Sequence, residues 1–171
     1  MSEAPQSQDP DPGQYRHVMS RFATGVTVVS TVLDGVRYGL TVNSFTSVSL
    51  DPLLVLFCCE IDCTFHAPVL AAGRWGVSVL SDSQAEESAW FATRGHPGVD
   101  QFAHRSGVRV GPALGVPLLA GSLATFECRT WTTYDGGDHT VVIGEVVDAA
   151  TRTDGDPLLY FRGHYRGIAP R

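Results

Sequence analysis

The stretch from Leu40 to Pro52 holds the side chains best suited to bind a ligand. Its ten central residues, Thr41 to Leu50, carry five hydroxyl groups and one amide, and no charge precedes Asp51. Apolar runs flank the stretch on both sides. Neutral donors and backbone N–H groups can hold a phosphate or a carbonyl-rich ring without a full counter-charge. The stretch therefore predicts a pocket wall, although composition alone favours an alternative, a Ser/Thr-rich edge strand.

Three shorter polar motifs could complete such a pocket. Cys63 and Thr64 stand at the predicted start of a short helix, where unpaired N–H groups and the positive dipole end suit a phosphate. The alternative role of Thr64 is an ordinary helix N-cap. His139 follows a glycine turn, and a histidine in that position is more often a surface turn residue. The last motif, His164-Tyr165-Arg166, has a solvated edge strand as its alternative.

The four cysteines, at positions 58, 59, 63 and 128, indicate free thiols in a reducing cytoplasm. Cys58 and Cys59 are adjacent, so on a strand their side chains point to opposite faces and cannot pair with each other. Together with Cys63 and His66 they could suggest zinc. No metal is expected, because the spacing fits no compact ligand set and the neighbouring side chains diverge.

Several common catalytic devices are missing from the sequence. No G-x-G-x-x-G fingerprint follows a predicted strand, and no phosphate loop with its lysine occurs. All 12 basic residues are arginine, which excludes Schiff-base chemistry through lysine. No G-x-S-x-G elbow is present, so a hydrolase of that type is not expected.

Composition predicts one globular domain at residues 13–171, preceded by a flexible tail at residues 1–12. The 171 residues are 43% hydrophobic and 18% charged, which suits a protein with a real core. The net charge of −6 argues against nucleic acid as a partner. No apolar run approaches the roughly 18 residues that span a bilayer, so no membrane is expected. The polar start lacks the apolar core of a signal peptide, which favours a cytoplasmic location.

The first half of the chain predicts one helix and three strands. Gln14 to Ala23 has apolar residues at helical spacing. Val26 to Leu33 and Val36 to Val42 are β-branched segments on either side of Asp34-Gly35, which predicts a hairpin. Leu53 to Cys59 is an unbroken apolar run, as expected for a strand buried on both faces.

The second half predicts more short strands, and the whole pattern is typical of a closed or nearly closed β-barrel with peripheral helices. Ser83 and Glu86 have the spacing of a capping box. The stretch from Gly95 to Pro117 predicts a long irregular connection of the kind that covers a ligand. The other predicted elements are a short helix opened by Cys63 and Thr64, a helix at Gln84–Thr93, and strands at Trp75–Leu80, Ser122–Tyr134 and His139–Val147. Leu158–Ile168 finishes the domain.

These motifs together resemble the flavin reductase family. The run T-V-N-S-F-T-S-V-S-L-D-P at positions 41–52 is the most specific part of the resemblance. Residues 23–29, A-T-G-V-T-V-V, precede it, and Gly136 to His139 follow it in the family's order. The chain is thus similar, over nearly its whole length, to the small reductase components of two-component flavin monooxygenases.

The resemblance implies a mainly β fold, the FMN-binding split β-barrel of flavin reductases, and a homodimer. It implies that the protein binds FMN or FAD and that NADH or NADPH reduces this flavin. In similar proteins the reduced flavin leaves for a separate flavin-dependent monooxygenase, which is the expected partner. A neutral pocket suits this role because a strong ionic grip would oppose the release of the flavin.

The resemblance also implies roles for individual residues. Cys58 and Cys59 would lie on the strand behind the flavin ring. Cys63 and Thr64 would reach the phosphate, although the family commonly has Ser or Thr at position 63. The flavin ring and the ribityl chain would be lined by the hydroxyl-rich stretch, through Thr41, Val42, Asn43, Ser44, Thr46, Ser47 and Ser49.

Four further residues match family positions around the same pocket. Phe102 matches an aromatic residue of a covering loop, and Tyr165 and Arg166 match a C-terminal segment that closes the pocket. His139 corresponds to the family histidine near the nicotinamide and is the candidate catalytic residue. Its expected role is to orient a ring, because hydride transfer between nicotinamide and flavin needs stacked rings and no acid.

Three alternative functions remain open at this point. A non-catalytic electron carrier or redox sensor of the same fold would bind flavin and ignore NADH and NADPH. An oxidase acting on a phosphorylated, vitamin-like substrate would need a basic pocket, and clustered arginines are scarce. A protein with only an interaction role would have little use for an uncharged polar run between two buried strands.

Overall fold

The computed structural model describes residues 11–95, 100–103, 105–151 and 154–168. The α-helices are α1 (Pro12–Met19), α2 (His66–Ala72) and α3 (Ala85–Ala92), and a 3₁₀ turn at Asp82–Gln84 precedes α3. None of the helices in these residues is long and apolar enough to cross a membrane. The strands are β1 (Thr24–Gly25), β2 (Thr27–Leu33), β3 (Val36–Val42), β4 (Thr46–Leu50), β5 (Leu53–Glu60), β6 (Arg74–Val79), β7 (Val108–Val110), β8 (Pro117–Leu119), β9 (Ala124–Asp135), β10 (His139–Thr151), β11 (Leu159–Phe161) and β12 (His164–Arg166).

Seven antiparallel strands form the main sheet, in the order β3-β2-β6-β9-β10-β5-β4. In the described part of the chain no ladder joins β3 to β4, so the sheet is open at that seam. Strands β1, β11 and β12 form a second sheet, and β7 pairs with β8. Helix α2 packs on β2 and β6, and α3 packs on β3. The predicted mainly β architecture with peripheral helices is confirmed.

A core of aromatic and branched side chains fills the inner face of the main sheet. Trp75 on β6 packs edge-on against Phe57 on β5, with ring centres 4.9 Å apart, and both side chains are fully buried. Gly144 on β10 lies against the Trp75 indole so closely that a Cβ at this position would overlap the ring. A second cluster lies beneath α3, where the rings of Phe91 and Phe102 are 4.7 Å apart. Burial of each such side chain stabilises the fold by about 1.5–3 kcal/mol.

Helix α1 begins earlier and ends earlier than the predicted helix at Gln14–Ala23. Asp11 accepts hydrogen bonds from two backbone N–H groups of the first turn, and Pro12 takes the first helical position. The helix ends at its C-cap, Ser20. Residues 1–10 of the predicted flexible tail lie outside the described residues, so the tail stays a prediction.

The predicted start of the second helix and the predicted capping box of the third helix are wrong. Helix α2 begins at His66 and has no side-chain cap, so the alternative role of Thr64 as an N-cap is wrong as well. The chain forms tight turns before α2, in which the N–H of Cys63 donates to the carbonyl of Glu60 at 3.3 Å. The capping box ahead of α3 uses Ser81 with Gln84 in place of Ser83 with Glu86, because a 3₁₀ turn is inserted before the helix.

Strand β5 is buried on one face only, so the prediction of two buried faces is wrong. Val55, Phe57 and Cys59 point into the core, whereas the alternate residues Cys58 and Glu60 are partly exposed. The apolar run hides this alternation because Leu, Val and Cys occupy both faces. The predicted irregular connection at 95–117 is also partly regular, since β7 lies within it and β8 begins at its end.

Glu127 on β9 is a fully buried carboxylate that anchors the loop between β7 and β8. Its side chain is 0% exposed. Oε1 accepts a hydrogen bond from the N–H of Ala113 at 2.9 Å, and Oε2 accepts one from the N–H of Leu114 at 2.6 Å. A buried charge is tolerated when hydrogen bonds of this kind replace its hydration. Gly111 lies against the carboxylate, and a Cβ there would overlap it.

We expect Glu127→Gln to lower the free energy of unfolding by about 1–3 kcal/mol. The amide nitrogen of the new side chain would face one of the two backbone N–H groups, so one buried donor would lose its acceptor. Urea denaturation followed by far-UV circular dichroism measures the change. The exposed Glu86→Gln on α3 is the matched control and should stay within about 0.5 kcal/mol of the parent. Equal midpoints for the two variants would show that Glu127 does not anchor the loop.

Candidate functional site

The C-terminal end of β3 is the common wall of three adjoining clefts. β3 is an edge strand of the main sheet, and after Val42 the chain leaves the ladder with β2 and turns towards β4. Thr41 lines all three clefts, and Val42 and Asn43 each line two of them. The first part of the hydroxyl-rich stretch is therefore a surface against which one extended ligand could lie.

The first cleft has a volume of about 210 Å³ and lies between β3, α3 and the β11–β12 hairpin. Hydroxyl groups connect its walls. Thr41 Oγ1 donates to the carbonyl oxygen of Ser88 at 2.7 Å, and Ser88 Oγ is hydrogen-bonded to the Tyr165 hydroxyl at 2.7 Å. The rings of Tyr160 and Tyr165 pack edge-to-face with centres 5.9 Å apart. Aromatic walls with a few fixed polar groups suit a planar ring that carries acceptors.

The second cleft has a volume of about 190 Å³ and lies between the end of β3 and the adjacent strands β5 and β10. Glu60 is paired with His139 in the β5–β10 ladder, and Cys58 lies two residues before Glu60 on the same face of β5. Ser44 ties the turn after β3 to this strand. Its hydroxyl accepts from the N–H of Cys58 at 3.0 Å and donates to the Cys58 carbonyl at 3.4 Å.

His139 lies at the rim of the second cleft and is oriented by its neighbour. Its Nδ1 is 2.7 Å from Asp138 Oδ1, and 40% of the His139 side chain is exposed. The hydrogen bond and the charge of His139 lower the pKa of the exposed Asp138 carboxyl. Because Asp138 occupies Nδ1, Nε2 is the ring nitrogen left for a ligand, and it has no hydrogen-bond partner among the described residues.

The third cleft has a volume of about 270 Å³ and lies between β3, the end of β5 and the end of α3. Arg94 is the only arginine among the described residues that line these three clefts. Its Nη2 contacts the two carboxylate oxygens of Glu60 at 2.6 and 2.7 Å. The Arg94 side chain is 80% exposed, so an incoming anion could reach it. Cys63 and Thr64 line the same cleft.

The side chains of Cys63 and Cys59 contact each other through their sulfur atoms, and both cysteines are free thiols. The two Sγ atoms are 3.7 Å apart. The hydrogen bond from Cys59, together with the N–H groups of Phe65 and His66, lowers the pKa of the Cys63 thiol to about 6 against the opposing effects of burial and of the Glu60 charge. The same hydrogen bond raises the pKa of Cys59 far above its ordinary value, with burial adding to the rise. Cys63 is therefore the anionic member of the pair and Cys59 is the donor.

Most of the predicted site residues line these clefts. Thr46 lies apart from them and lines a broader groove beside Phe22 and Phe126. The groove touches the clefts through Asn43 and Ser44. The predicted residues on the three clefts are Thr41, Val42, Asn43, Ser44, Cys58, Cys63, Thr64, His139 and Tyr165.

The remaining predicted residues lie away from the clefts. Cys59 is 0% exposed because it alternates to the inner face of β5, and Phe102 is 1% exposed because it stacks on Phe91. Neither side chain faces a cleft, and the cofactor-binding roles of Cys59 and Phe102 stay predictions. Three other predicted residues lie outside the clefts, and their roles stay predictions: Ser47, Ser49 and Arg166.

Four residues that line the clefts carry no signal of a binding role in the sequence. Glu60 follows a long apolar run, and its position opposite His139 depends on strand register. Ser88 and Arg94 lie on or just after α3, and Tyr160 lies on β11. Each comes from a different part of the chain, so only the packing of α3 and of the β11–β12 hairpin against β3 brings them to the site.

Residues 19–169 match the family model of the flavin reductase like domain. The NADH-dependent FAD reductase of Streptomyces globisporus is 43% identical over 158 residues, which cover 92% of this chain and 86% of that protein. The reductase subunit HsaB of a flavin-dependent monooxygenase from Rhodococcus jostii is 39% identical over 160 residues, which cover 94% of this chain and 80% of that protein.

Two solved structures superpose on nearly the whole chain. BorF, the flavin reductase component of a bacterial two-component tryptophan halogenase, matches with a TM-score of 0.88 and 42% identity, covering 94% of this chain and all of that one. The Streptomyces globisporus NADH:FAD oxidoreductase SgcE6, solved with NAD and FAD fragments, matches with a TM-score of 0.86 and 40% identity, covering 96% and 98%. The split-barrel fold is therefore confirmed, and the chain belongs to the flavin reductase family.

Proposed function

We propose that this protein reduces FMN or FAD with NADH and releases the reduced flavin to a partner flavin-dependent monooxygenase. The observation that carries the proposal is the wall formed by Thr41 to Ser44, which adjoining clefts share in a member of the flavin reductase family. The NADH-dependent FAD reductase that is 43% identical supports NADH as the reductant. HsaB, a reductase subunit of a flavin-dependent monooxygenase, and BorF, the flavin reductase component of a two-component halogenase, support a separate partner enzyme.

The residues of the clefts fit a flavin. A flavin has a planar ring with an apolar face, carbonyl acceptors at its edge, a hydroxyl-rich ribityl chain and an anionic phosphate. Tyr160 and Tyr165 offer aromatic surface, and Asn43 offers an amide that can donate to a carbonyl. The third cleft offers Arg94 and the Thr64 hydroxyl, which suit a phosphate. These donors lie on both sides of Thr41, so one elongated molecule could span them.

The bound flavin would supply the acceptor for the hydride, and the protein supplies the alignment of the two rings. Asp138 holds Nδ1 of His139 at 2.7 Å and thereby fixes the plane of the imidazole. Nε2 can then donate to or accept from a polar group of the nicotinamide. His139 is a positioning residue in this role, because no proton moves between the nicotinamide carbon and the flavin nitrogen during hydride transfer.

The charge balance of the clefts favours the release of the flavin. Arg94 is already neutralised by Glu60, Asp62 adds a second carboxylate to the third cleft, and the wall from Thr41 to Ser44 is uncharged. An anionic phosphate would compete with Glu60 for Arg94, so the net ionic gain on binding is small. Reduced flavin held in this way could leave for a second enzyme.

The flavin reductase activity is tested by mixing the purified protein with NADH or NADPH and free FMN or FAD. We expect the nicotinamide absorbance to fall only when flavin is present, and to fall faster with NADH than with NADPH. Protein that copurifies with tightly bound flavin and leaves both nicotinamides unoxidised would contradict the proposal and indicate a non-catalytic carrier.

We expect His139→Ala to lower kcat about tenfold, equivalent to about 1.4 kcal/mol, while changing the flavin dissociation constant by less than about threefold. The reason is that His139 aligns the nicotinamide and contributes little to flavin binding. Steady-state kinetics and flavin fluorescence titration measure the two quantities. Asp138→Asn should lower kcat by a smaller factor, since the amide can still accept from Nδ1. Equal losses in kcat and flavin affinity would contradict the positioning role.

The chain is further proposed to form a homodimer. An apolar stripe on α1 and on the turn after it belongs to neither core cluster of the described residues, and its side chains are largely exposed: Tyr15 59%, Val18 60%, Met19 47% and Phe22 69%. The stripe borders a groove that also contains Asn43 and Tyr160, so it adjoins the flavin clefts. A second copy of the chain would bury this apolar surface.

Sedimentation velocity is expected to give twice the 18.4 kDa mass of the chain. Phe22→Glu should shift the protein to the monomer, because a carboxylate would replace an apolar contact at the interface. Val110→Glu is the matched control, since Val110 is 76% exposed on β7 and lies away from the α1 stripe. A parent protein that sediments as a monomer would contradict the homodimer.

The proposed location is the cytoplasm. All four cysteines are free thiols, which is usual for proteins kept in a reducing compartment. NADH is also a cytoplasmic reductant, so the proposed activity agrees with this location.

A further inference from the structure

Cys63 on the third cleft and Cys59 in the core beneath it form a cysteine pair that the proposed hydride transfer does not use. Cys63 lies at the cleft surface, and Cys59 lies directly beneath it in the core. Their Sγ atoms are 3.7 Å apart, whereas a disulfide needs about 2.05 Å. The sulfurs would therefore have to approach by less than 2 Å. This approach needs no large movement of β5 or of the turns that carry Cys63.

The surroundings allow one of the two residues to move. Cys59 is held in β5, where its neighbour across the ladder is Thr140 of β10. Cys63 lies beyond the end of β5, in the turns that lead to α2. A shift of the turn can thus bring Cys63 towards Cys59, while the strand that carries Cys59 stays in place.

The two thiols also differ in accessibility and acidity. Cys63 is partly exposed, and its pKa of about 6 makes it mainly thiolate at neutral pH. Cys59 is fully buried and remains a thiol. An accessible thiolate beside a buried thiol is the arrangement of a cysteine that is oxidised first and a second cysteine that then closes the disulfide.

We propose that Cys63 is a hydroperoxide-reactive site and that Cys59 is its resolving partner. The reagent is hydrogen peroxide or another hydroperoxide that enters the third cleft from solvent. Reduced flavin released in the presence of dioxygen yields hydrogen peroxide, so this reagent would form where the proposed reductase works. The effect on activity rests on the proposed function, whereas the disulfide chemistry does not.

The reaction balances in two steps. In the first step the Cys63 thiolate attacks one oxygen of hydrogen peroxide, so that an S–O bond forms and the O–O bond breaks. The leaving hydroxide takes a proton from solvent, and Cys63 becomes a sulfenic acid. In the second step the sulfur of Cys59 attacks that of Cys63, so that an S–S bond forms and the S–O bond breaks. The oxygen leaves as water with the Cys59 proton, and the two sulfurs have reduced one peroxide to two waters.

The disulfide would change the wall of the third cleft. Cys63 Sγ would leave the N–H groups of Phe65 and His66 and move into the core, and Thr64 would move with it. Thr64 is one of the groups proposed to hold the flavin phosphate. The oxidised protein should therefore reduce flavin more slowly, and a dithiol reductant should restore the rate.

The test treats the reduced full-length protein with hydrogen peroxide, without flavin or NADH, and then blocks free thiols with an alkylating reagent. We expect the treated protein to take up two fewer alkyl groups than the untreated protein. Before alkylation its mass should be lower by that of two hydrogen atoms. A protease that cleaves after glutamate separates Cys59 from Cys63 at Glu60, so their peptides should stay joined until reduction. Four alkylated cysteines after treatment would overturn the proposal.

Single substitutions then assign the two roles. Cys63→Ser should remove the reaction. Cys59→Ser should leave a sulfenic acid at Cys63 that a 1,3-dione reagent traps. Cys58→Ser and Cys128→Ser should still form the joined peptides, because Cys58 points to the opposite face of β5 and burial raises the pKa of Cys128 to about 12. Loss of the joined peptides in either control would overturn the assignment, and circular dichroism verifies that each variant is folded.

The pH dependence gives a second readout that needs no variant. The reactive form is the thiolate, so the rate falls as pH falls below the pKa of Cys63. With a pKa of about 6 the rate should rise about tenfold from pH 5 to pH 7 and then level off. The reaction rate of an unperturbed thiol would rise about a hundredfold over the same pH range and would continue to rise above pH 7. A rate that still increases tenfold between pH 7 and pH 8 would overturn the role of Cys63.

Activity measurements separate this proposal from the proposed function. We expect the peroxide-treated parent to lose flavin-dependent NADH oxidation in step with the joined peptides and to regain it with dithiothreitol. Joined peptides with unchanged activity would overturn the effect on flavin reduction alone. A reduced protein that oxidises no NADH, yet forms the disulfide, would defeat the proposed function and leave the cysteine chemistry standing.

Discussion

The antiparallel ladder between β5 and β10 is the constraint on which the rest of the site depends. Its register runs from the pair His139 and Glu60 to the pair Glu145 and Leu54. A slip of one residue would exchange the two faces of β5 and would turn Cys58 and Glu60 into the core. Gly144 prevents such a slip, because only a residue without a side chain fits against the Trp75 indole. The core packing therefore positions the polar groups of the second and third clefts.

The hydroxyl groups of the wall from Thr41 to Ser44 hold the structure together as well as offering a surface to a ligand. Thr41 bonds the backbone of α3, and Ser44 bonds the backbone of β5 at the seam where the sheet is open. These bonds hold the wall in place before any ligand arrives, which lowers the cost of ordering it on binding. Two charged pairs lie at the clefts in the described part of the chain, Arg94 with Glu60 and His139 with Asp138. A preorganised and nearly neutral site agrees with a flavin that binds, is reduced and leaves.

Much of the fold could be predicted from local sequence patterns. Most of the wrong predictions concern features that tertiary packing determines. The β2–β3 hairpin followed from its β-branched strands and Asp34-Gly35, and the structure has the same strand limits for β3. The apolar run of β5 could not reveal its exposed face, because burial depends on what lies opposite each residue. The wall at Thr41 to Ser44 could be predicted from its match to the family motif, since its composition alone favours an edge strand. Arg94 could not be predicted, since its place at the site depends on how α3 packs. Phe102 matches an aromatic residue of a covering loop, and in the structure its ring is buried against Phe91, a contact that depends on how α3 packs.

A crystal structure of the protein with oxidised FMN bound is the most direct test of the shared wall. The isoalloxazine ring should contact Thr41 to Ser44, and the phosphate should lie within hydrogen-bond distance of Thr64 and Arg94. His139 should keep its hydrogen bond to Asp138. Its Nε2 should lie at the face of the isoalloxazine ring that the protein leaves uncovered. An isoalloxazine ring bound away from the end of β3, with the three clefts empty, would contradict the assignment of this wall to the flavin.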